Sequence, residues 1–153
     1  MMKQQKNPII TELNTKNEEY IKQVLEILNE NFQYPWNKNH LGLNNKFQKN
    51  LVAIYNKKII GFISGEIFPP EANILMLAVK KTYQDKGVGK KLLQYFIKEI
   101  SNQYINQIWL EVSKQNKKAL NFYLKNNFKK EYIRKKYYKD GSDAIIMRFQ
   151  IST

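Results

Sequence analysis

The chain has 153 residues, 42% of them hydrophobic and 13% aromatic, which is enough to bury the core of a single globular domain over residues 1–153. It has no cysteine and one histidine, His40, which excludes disulfides, thiolate metal sites, a cysteine nucleophile and a His-rich metal centre.

The 26 basic and 13 acidic residues give a net charge of +13. That charge indicates either an anionic partner or the compositional drift of an AT-rich genome. Because the lysines are spread along the chain, drift is favoured, and nucleic-acid binding beyond non-specific charge is not predicted.

The sequence also gives expectations about membranes and location. No apolar run approaches the roughly 20 residues that a membrane-spanning helix needs. Met1–Ile10 carries lysines and lacks the apolar stretch of a secretory signal. A cytoplasmic location is therefore predicted, with no membrane partner and no bound metal.

Hydrophobic periodicity and turn residues predict the elements of the first half of the chain. In order these are a strand at Ile9–Leu13, a helix after the capping-box spacing of Thr15–Glu18, an aromatic loop at Phe32–Trp36, a short helix around Asn39–Asn45, and strands at Leu51–Tyr55, Ile59–Phe68 and Asn73–Val79. The pairs Asn56-Lys57 and Pro69-Pro70 are typical of turns between strands.

The second half alternates helices with strands. The predicted order is a loop at Lys80–Lys86, a helix at Gly87–Asn102, a strand at Ile108–Val112, a helix from Asn116 to Asn126, and strands at Phe128–Tyr138 and Ala144–Phe149 around the turn Lys139–Ser142. Together the elements predict a mixed α/β (α+β) sheet with helices on both faces.

The segment Gln84–Lys90 is the most informative stretch for chemistry. It follows an apolar strand and opens an amphipathic helix, and Gly87 and Gly89 allow the backbone to approach a ligand closely. A helix N-terminus offers unpaired N–H groups and a positive dipole end, which suits a pyrophosphate. A P-loop would need Gly at 84 and Ser or Thr at 91, and a dinucleotide fingerprint would need Gly or Ala at 92. Taken alone, the segment is equally compatible with a glycine turn that only starts a helix.

Its surroundings point to a known superfamily. The pattern Gln-x-x-Gly-x-Gly at 84–89, after a buried strand, resembles the acyl-CoA pyrophosphate loop of the GNAT N-acetyltransferases. The pattern Asn-x-x-Ala-x-x-Phe-Tyr-x-x-x-Asn-Phe at 116–128 resembles the second signature of that superfamily, and the strand 108–112 precedes it. The combination is specific, whereas each piece alone is not.

The resemblance narrows to the RimI type, whose members acetylate the N-terminal α-amine of a ribosomal protein. It is carried by four segments: Tyr34–Asn37, Trp109–Val112, Arg134–Tyr138 and Asp143–Met147. Covering about residues 10–149, it implies the GNAT fold, with a mostly antiparallel central sheet, and acetyl-CoA as co-substrate. Two positions depart from the type. Asp85 stands where a basic residue is usual, and Asn127 replaces the usual glycine, a mild change because Asn tolerates the left-handed conformation.

Acetyl transfer to an amine needs a base for the amine proton, stabilisation of the carbonyl oxygen and a proton for the leaving thiolate. The resemblance assigns Glu111 as the general base and Tyr123 as the general acid. Glu111 is the only carboxylate of its predicted strand. The alternatives are a strand carboxylate that faces solvent or a lysine, and, for Tyr123, an aromatic residue of the core.

The resemblance also assigns residues to the two substrates. Acetyl-CoA would contact backbone groups of Leu77, Ala78 and Val79, the loop and helix start formed by Asp85, Lys86, Gly87, Val88, Gly89 and Lys90, and the side chain of Asn116. Asn116 is equally suited to capping a helix. Trp36, Tyr137 and Tyr138 would line the slot for the acceptor peptide, although ordinary packing explains them nearly as well. His40 is predicted to be a surface residue.

The sequence leaves more than one function open. The favoured hypothesis is N-terminal acetylation of a protein, and a close variant is the same chemistry on a lysine, a polyamine or another small amine. A different class is a basic ribosome- or RNA-binding module that has lost catalysis. The presence of Glu111 and Tyr123 together with the loop glycines argues against that loss. RNA binding with a steep salt dependence and no turnover would favour it.

Overall fold

The computed structural model describes residues 7–151, so the prediction about a secretory signal falls mostly outside the described residues. These residues form two compact units. One comprises the residues up to Gly65 together with Met76–Glu99, and the other comprises Glu66–Leu75 together with the residues from Ile100 onward. Within 7–151, no helix is long and apolar enough to cross a membrane.

Within residues 7–151, seven strands and three α-helices follow the predicted order. They are β1 Ile9–Glu12, α1 Glu18–Asn31, β2 Gln48–Tyr55, β3 Lys58–Phe68, β4 Glu71–Val79, α2 Val88–Ile100, β5 Gln107–Ser113, α3 Lys117–Lys125, β6 Lys129–Arg134 and β7 Ala144–Gln150. Two short 3₁₀ helices occupy Lys38–Leu41 and Lys81–Tyr83. The predicted fold class, a mixed sheet with helices, is confirmed.

The strands form one sheet in the order β1-β2-β3-β4-β5-β7-β6. β4 and β5 run parallel, with Glu71 opposite Gln107 and Ile74 opposite Leu110. The pairs β1–β2, β5–β7 and β6–β7 are antiparallel. The sheet is therefore mostly antiparallel, and β6 is an edge strand.

Helices cover both faces of β3, as predicted. Phe62 is fully buried in a cluster that contains Ile21, Val24 and Leu28 of α1. The neighbouring Gly61 faces the other way, because successive residues of a strand point to opposite faces. A Cβ on Gly61 would lie 2.8 Å from Leu92 Cδ1 of α2, so glycine allows this helix to pack directly on the strand.

Two N-terminal predictions were wrong in detail. The N-cap of α1 is Asn17, not Thr15, because the Asn17 side chain accepts a hydrogen bond from the N–H of Tyr20 at 3.0 Å. The short helix around residues 39–45 is a 3₁₀ turn, which ends where Gly42 takes a left-handed φ of 57°. Glycine adopts that conformation readily, and it stops the helix early.

The strand predicted at Phe128–Tyr138 was too long. β6 ends at Arg134, and Lys136 has a φ of 53°, which a strand does not accommodate. The N–H of Lys136 donates to the Asp143 carboxylate at 3.0 Å, so a side chain of the returning segment fixes the turn. Tyr137 and Tyr138 consequently belong to a connecting turn and not to the sheet.

Candidate active site

The loop before α2 has the geometry of an anion-binding helix start. Asp85 and Gly87 have φ values of 61° and 83°, and the first helical hydrogen bond runs from the N–H of Lys91 to the carbonyl of Gly87 at 3.1 Å. The N–H groups of Val88, Gly89 and Lys90 therefore have no carbonyl of a preceding helical turn to donate to, as at the start of every helix.

Open space and local conformation both suit a ligand at this loop. A Cβ on Gly87 would meet nothing within 4 Å, so the backbone there is accessible. Asp85 departs from the usual basic residue, but its left-handed backbone is one that Asp tolerates better than most residues. Lys86 is exposed, and its Nζ lies 5.6 Å from the ring centre of Tyr83.

The end of β4 offers fewer backbone groups than the sequence suggests. Ala78 is buried, whereas Leu77 and Val79 are partly buried. The carbonyl of Val79 already accepts hydrogen bonds from the side-chain amides of Asn31 and Gln84, each at 3.0 Å. A cofactor contact at Val79 would consequently use its N–H.

Trp36 lies in a loop that is held by a capping box. The ring of Trp36 stacks on His40 with centroids 5.8 Å apart and meets Phe62 edge-on at 6.3 Å. His40 Nδ1 accepts from the N–H of Asn37 at 3.0 Å, and the Asn37 side chain accepts from the N–H of Asn39 at 2.9 Å. His40 is exposed, as predicted, and it also orders the segment that carries Trp36.

In the other unit, Asn116 directly precedes α3, and Tyr123 lies within this helix. The Asn116 side chain caps the helix by accepting from the N–H of Ala119 at 3.1 Å. Tyr123 is 8% exposed, and its ring meets Phe122 and Phe128 edge-on at 5.2 and 5.4 Å. Burial raises the pKa of Tyr123 well above its usual value, so its hydroxyl keeps its proton throughout the working pH range. The helix ends as Asn127 adopts a φ of 71°.

Glu111 lies on the less buried face of β5. Ile108, Leu110 and Val112 are buried on one face, whereas the Glu111 side chain is 38% exposed on the other. Its Oε1 lies 3.8 Å from Nη1 of Arg134, whose side chain is 49% exposed. An exposed ion pair of this length contributes little to the free energy of folding. The weak pairing with Arg134 therefore leaves the carboxylate available to a substrate.

Two tyrosines of the β6–β7 turn face this carboxylate. A hydrogen bond from the Tyr137 hydroxyl to Glu111, together with the carboxylate charge, raises the pKa of Tyr137. Burial, followed by the charge of Glu111, raises the pKa of Tyr138 to about 12. The two rings meet edge-on at 5.1 Å. The structure thus brings Glu111, Tyr137 and Tyr138 into one electrostatic cluster, which also contains Arg134.

The sequence profile of the acetyltransferase (GNAT) family matches residues 21–128. The chain belongs to this family. It is 32% identical over 123 residues to the ribosomal protein bS18-alanine N-acetyltransferase of Escherichia coli, covering 78% of this chain and 83% of the relative. It is 33% identical over 109 residues to an N-alpha-acetyltransferase of Saccharolobus solfataricus, covering 63% of this chain and 65% of the relative.

A solved structure agrees with these relatives. The ribosomal-protein-S18-alanine N-acetyltransferase from Escherichia coli superimposes with a TM-score of 0.85 at 29% identity, and 95% of each chain is covered. The similarity to the RimI type is therefore confirmed, and this GNAT protein is an acetyl-CoA-dependent N-acetyltransferase.

The predicted site residues of this N-acetyltransferase divide between the two units. The loop, the end of β4 and Trp36 belong to the first unit, and Glu111, Asn116, Tyr123, Tyr137 and Tyr138 belong to the second. Arg134 was not predicted as a site residue, although it lies in a segment that carries the family resemblance, because no spacing rule places position 134 beside position 111. The capping role of His40 was also not predicted, although Asn37-x-x-His40 was an available signal.

Proposed function

We propose that this GNAT enzyme acetylates the N-terminal α-amine of a protein, most specifically a ribosomal protein, in the cytoplasm. The observation that carries the proposal is the exposed Glu111 carboxylate within the cluster of Arg134, Tyr137 and Tyr138. The relatives whose names describe α-amine or alanine acetylation support the choice of acceptor. Lysine side chains and polyamines are the competing acceptors.

The chemistry proceeds by direct transfer. Glu111 accepts a proton from the α-ammonium group, the neutral nitrogen attacks the thioester carbonyl, a C–N bond forms and the C–S bond breaks. The hydroxyl of Tyr123 donates its proton to the departing sulfur, which leaves as a thiol. The second proton of the nitrogen restores the Tyr123 hydroxyl, and Glu111 releases the first proton to solvent, so N-acetyl peptide, free CoA and one proton are the products.

An α-amine is the acceptor best matched to this base. Its reference pKa near 8 leaves about one molecule in ten neutral at pH 7, whereas a lysine near 10.4 leaves about one in 2,500. A single exposed carboxylate can supply the modest help that the α-amine needs. Tyr137 and Tyr138 would hold the acceptor backbone, and the aromatic loop with Trp36 would contact its first side chain.

The loop before α2 is proposed to bind the pyrophosphate of acetyl-CoA. The residues are Asp85, Lys86, Gly87, Val88, Gly89 and Lys90. Three helix-start N–H groups, the open space at Gly87 and two lysines fit a doubly charged phosphate group. Leu77, Ala78 and the Val79 N–H would contact the pantetheine arm, and Asn116 would use its amide nitrogen, since its oxygen caps α3.

Gly87→Val is expected to raise the Kd for acetyl-CoA at least tenfold. Valine strongly disfavours a φ of 83°, and its side chain would fill the space through which a phosphate approaches. Isothermal titration with acetyl-CoA measures the effect. Gly141→Val is the matched control, because Gly141 has a φ of 82° and equally open surroundings in a different turn. Equal affinities for acetyl-CoA in the two variants would contradict the loop assignment.

A panel of acceptors tests the proposed function. We expect acetyl-CoA consumption with unblocked peptides that begin like ribosomal proteins. With free lysine side chains or polyamines, kcat/KM should be at least 100-fold lower, which is about the effect of losing one matched catalytic interaction. Higher kcat/KM with a polyamine or a lysine would replace the proposed acceptor. RNA binding below micromolar Kd at physiological salt without any turnover would instead favour a binding module.

A further inference from the structure

The last residue of α1 is bonded to the start of the cofactor loop. Asn31 Nδ2 donates to the carbonyl of Ile27 at 2.8 Å and to the carbonyl of Val79 at 3.0 Å. Asn31 Oδ1 accepts from Gln84 Nε2 at 2.8 Å, and Gln84 donates again to the carbonyl of Val79 at 3.0 Å. One side chain thus joins the last turn of α1, the end of β4 and the first residue of the Gln-x-x-Gly-x-Gly segment.

A second contact ties the same helix end to the same loop. The carboxylate of Glu30 accepts a hydrogen bond from the N–H of Lys81 at 2.7 Å. The loop is therefore fixed on its N-terminal side, just before the left-handed residues Asp85 and Gly87. A loop that is ordered before its ligand arrives does not lose that conformational entropy on binding.

We propose that Asn31 is a positioning residue for the pyrophosphate loop, acting through Gln84 and the Val79 carbonyl. This inference rests on the proposed binding of acetyl-CoA at the loop. Asn31 itself touches no substrate in this scheme. It holds the loop backbone in the conformation in which the N–H groups at the start of α2 converge on the phosphates.

The test compares two acetyl donors. Acetylpantetheine carries the same thioester as acetyl-CoA but lacks the pyrophosphate. Asn31→Ala is expected to lower kcat/KM for acetyl-CoA about tenfold, the equivalent of roughly one net hydrogen bond. The value for acetylpantetheine should stay within about twofold, because that donor does not use the loop. The ratio of the two values is the readout, since general damage to the fold would lower both.

Two further variants keep the inference testable. Gln84→Leu removes the hydrogen-bond partner of Asn31 and leaves α1 intact. It should therefore change the ratio of kcat/KM for acetyl-CoA to that for acetylpantetheine in the same way, even where Asn31→Ala lowers Tm. The double variant should lose less than the sum of the two single losses, because the Asn31–Gln84 bond is removed in each single variant and can be lost only once. Asn29→Ala is the control, because Asn29 is an exposed residue of the same helix.

The outcomes separate the two claims. If Gly87→Val lowers the ratio and neither Asn31→Ala nor Gln84→Leu does, the positioning role is overturned and the loop assignment stands. If Gly87→Val leaves the ratio unchanged as well, the loop does not bind the pyrophosphate and both claims fail. Additive losses in the double variant would also overturn the shared contact.

Discussion

Glu111→Gln is expected to lower kcat/KM on peptide α-amines at pH 7 by about 10²- to 10⁴-fold, the usual range for a general base. Glutamine keeps the shape of the side chain and still accepts a hydrogen bond from Tyr137, but it cannot take the proton of an ammonium group. Because the Glu111 side chain is 38% exposed, the free energy of unfolding should change little. Steady-state kinetics together with acetyl-CoA titration measure the effect, and the Kd for acetyl-CoA should stay near the wild-type value.

The pH dependence makes this prediction sharper. Raising the pH from 7 to 9 converts most of an α-amine with a pKa near 8 to its neutral form, so activity of the glutamine variant should partly recover. Glu131→Gln is the matched control. Glu131 is another strand glutamate paired with an arginine, Arg148, and its side chain is 30% exposed. Full activity of Glu111→Gln at neutral pH would mean that the base lies elsewhere or that water suffices.

Tyr123→Phe is expected to lower kcat about 10²-fold, at the lower end of the range for proton transfer. The phenyl ring keeps its packing against Phe122 and Phe128, so only the O–H is lost. Because burial raises the pKa of Tyr123, its hydroxyl stays protonated and can donate to the departing sulfur. Single-turnover kinetics measure the transfer step directly.

The defect of Tyr123→Phe should not respond to pH in the manner of Glu111→Gln. This variant still has the base that deprotonates the amine, so raising the pH should not restore its kcat. The raised pKa also predicts that the wild-type enzyme shows no loss of activity from ionisation of Tyr123 below pH 10. Tyr95→Phe, at a partly exposed position of α2, is the control. Unchanged kcat in Tyr123→Phe would leave this residue as part of the hydrophobic core only.

Local sequence rules predicted the order of strands and helices because each long element carries its own periodicity. α2 is an example, since Val88, Leu92 and Phe96 recur at helical spacing and are all buried. The error in the length of β6 lies where a side chain outside the predicted strand decides the backbone. The N–H of Lys136 pairs with Asp143, which ends β6 at Arg134 and turns Tyr137 out of the sheet. The local conformational preferences of the lysine-rich segment do not indicate that the strand ends at Arg134.

In the candidate site, too, some features follow from neighbouring residues in the sequence and others depend on long-range contacts. The loop glycine Gly87 and the cap Asn116 follow rules for turns and helix ends, so their backbone roles were predictable from neighbours in sequence. Glu111 beside Arg134 depends on contacts between segments far apart in the chain. The bonds of Asn31 to Val79 and Gln84 span 48 and 53 residues, a separation that no single-sequence pattern encodes.

The most direct test of N-terminal acetylation uses one peptide that carries both a free α-amine and an internal lysine. The peptide begins with alanine, and tandem mass spectrometry after incubation with acetyl-CoA locates the added acetyl group. We expect acetylation of the α-nitrogen alone, and no product from the same peptide with its N-terminus already blocked. Acetyl-lysine as the main product, or undiminished turnover of the blocked peptide, would contradict it.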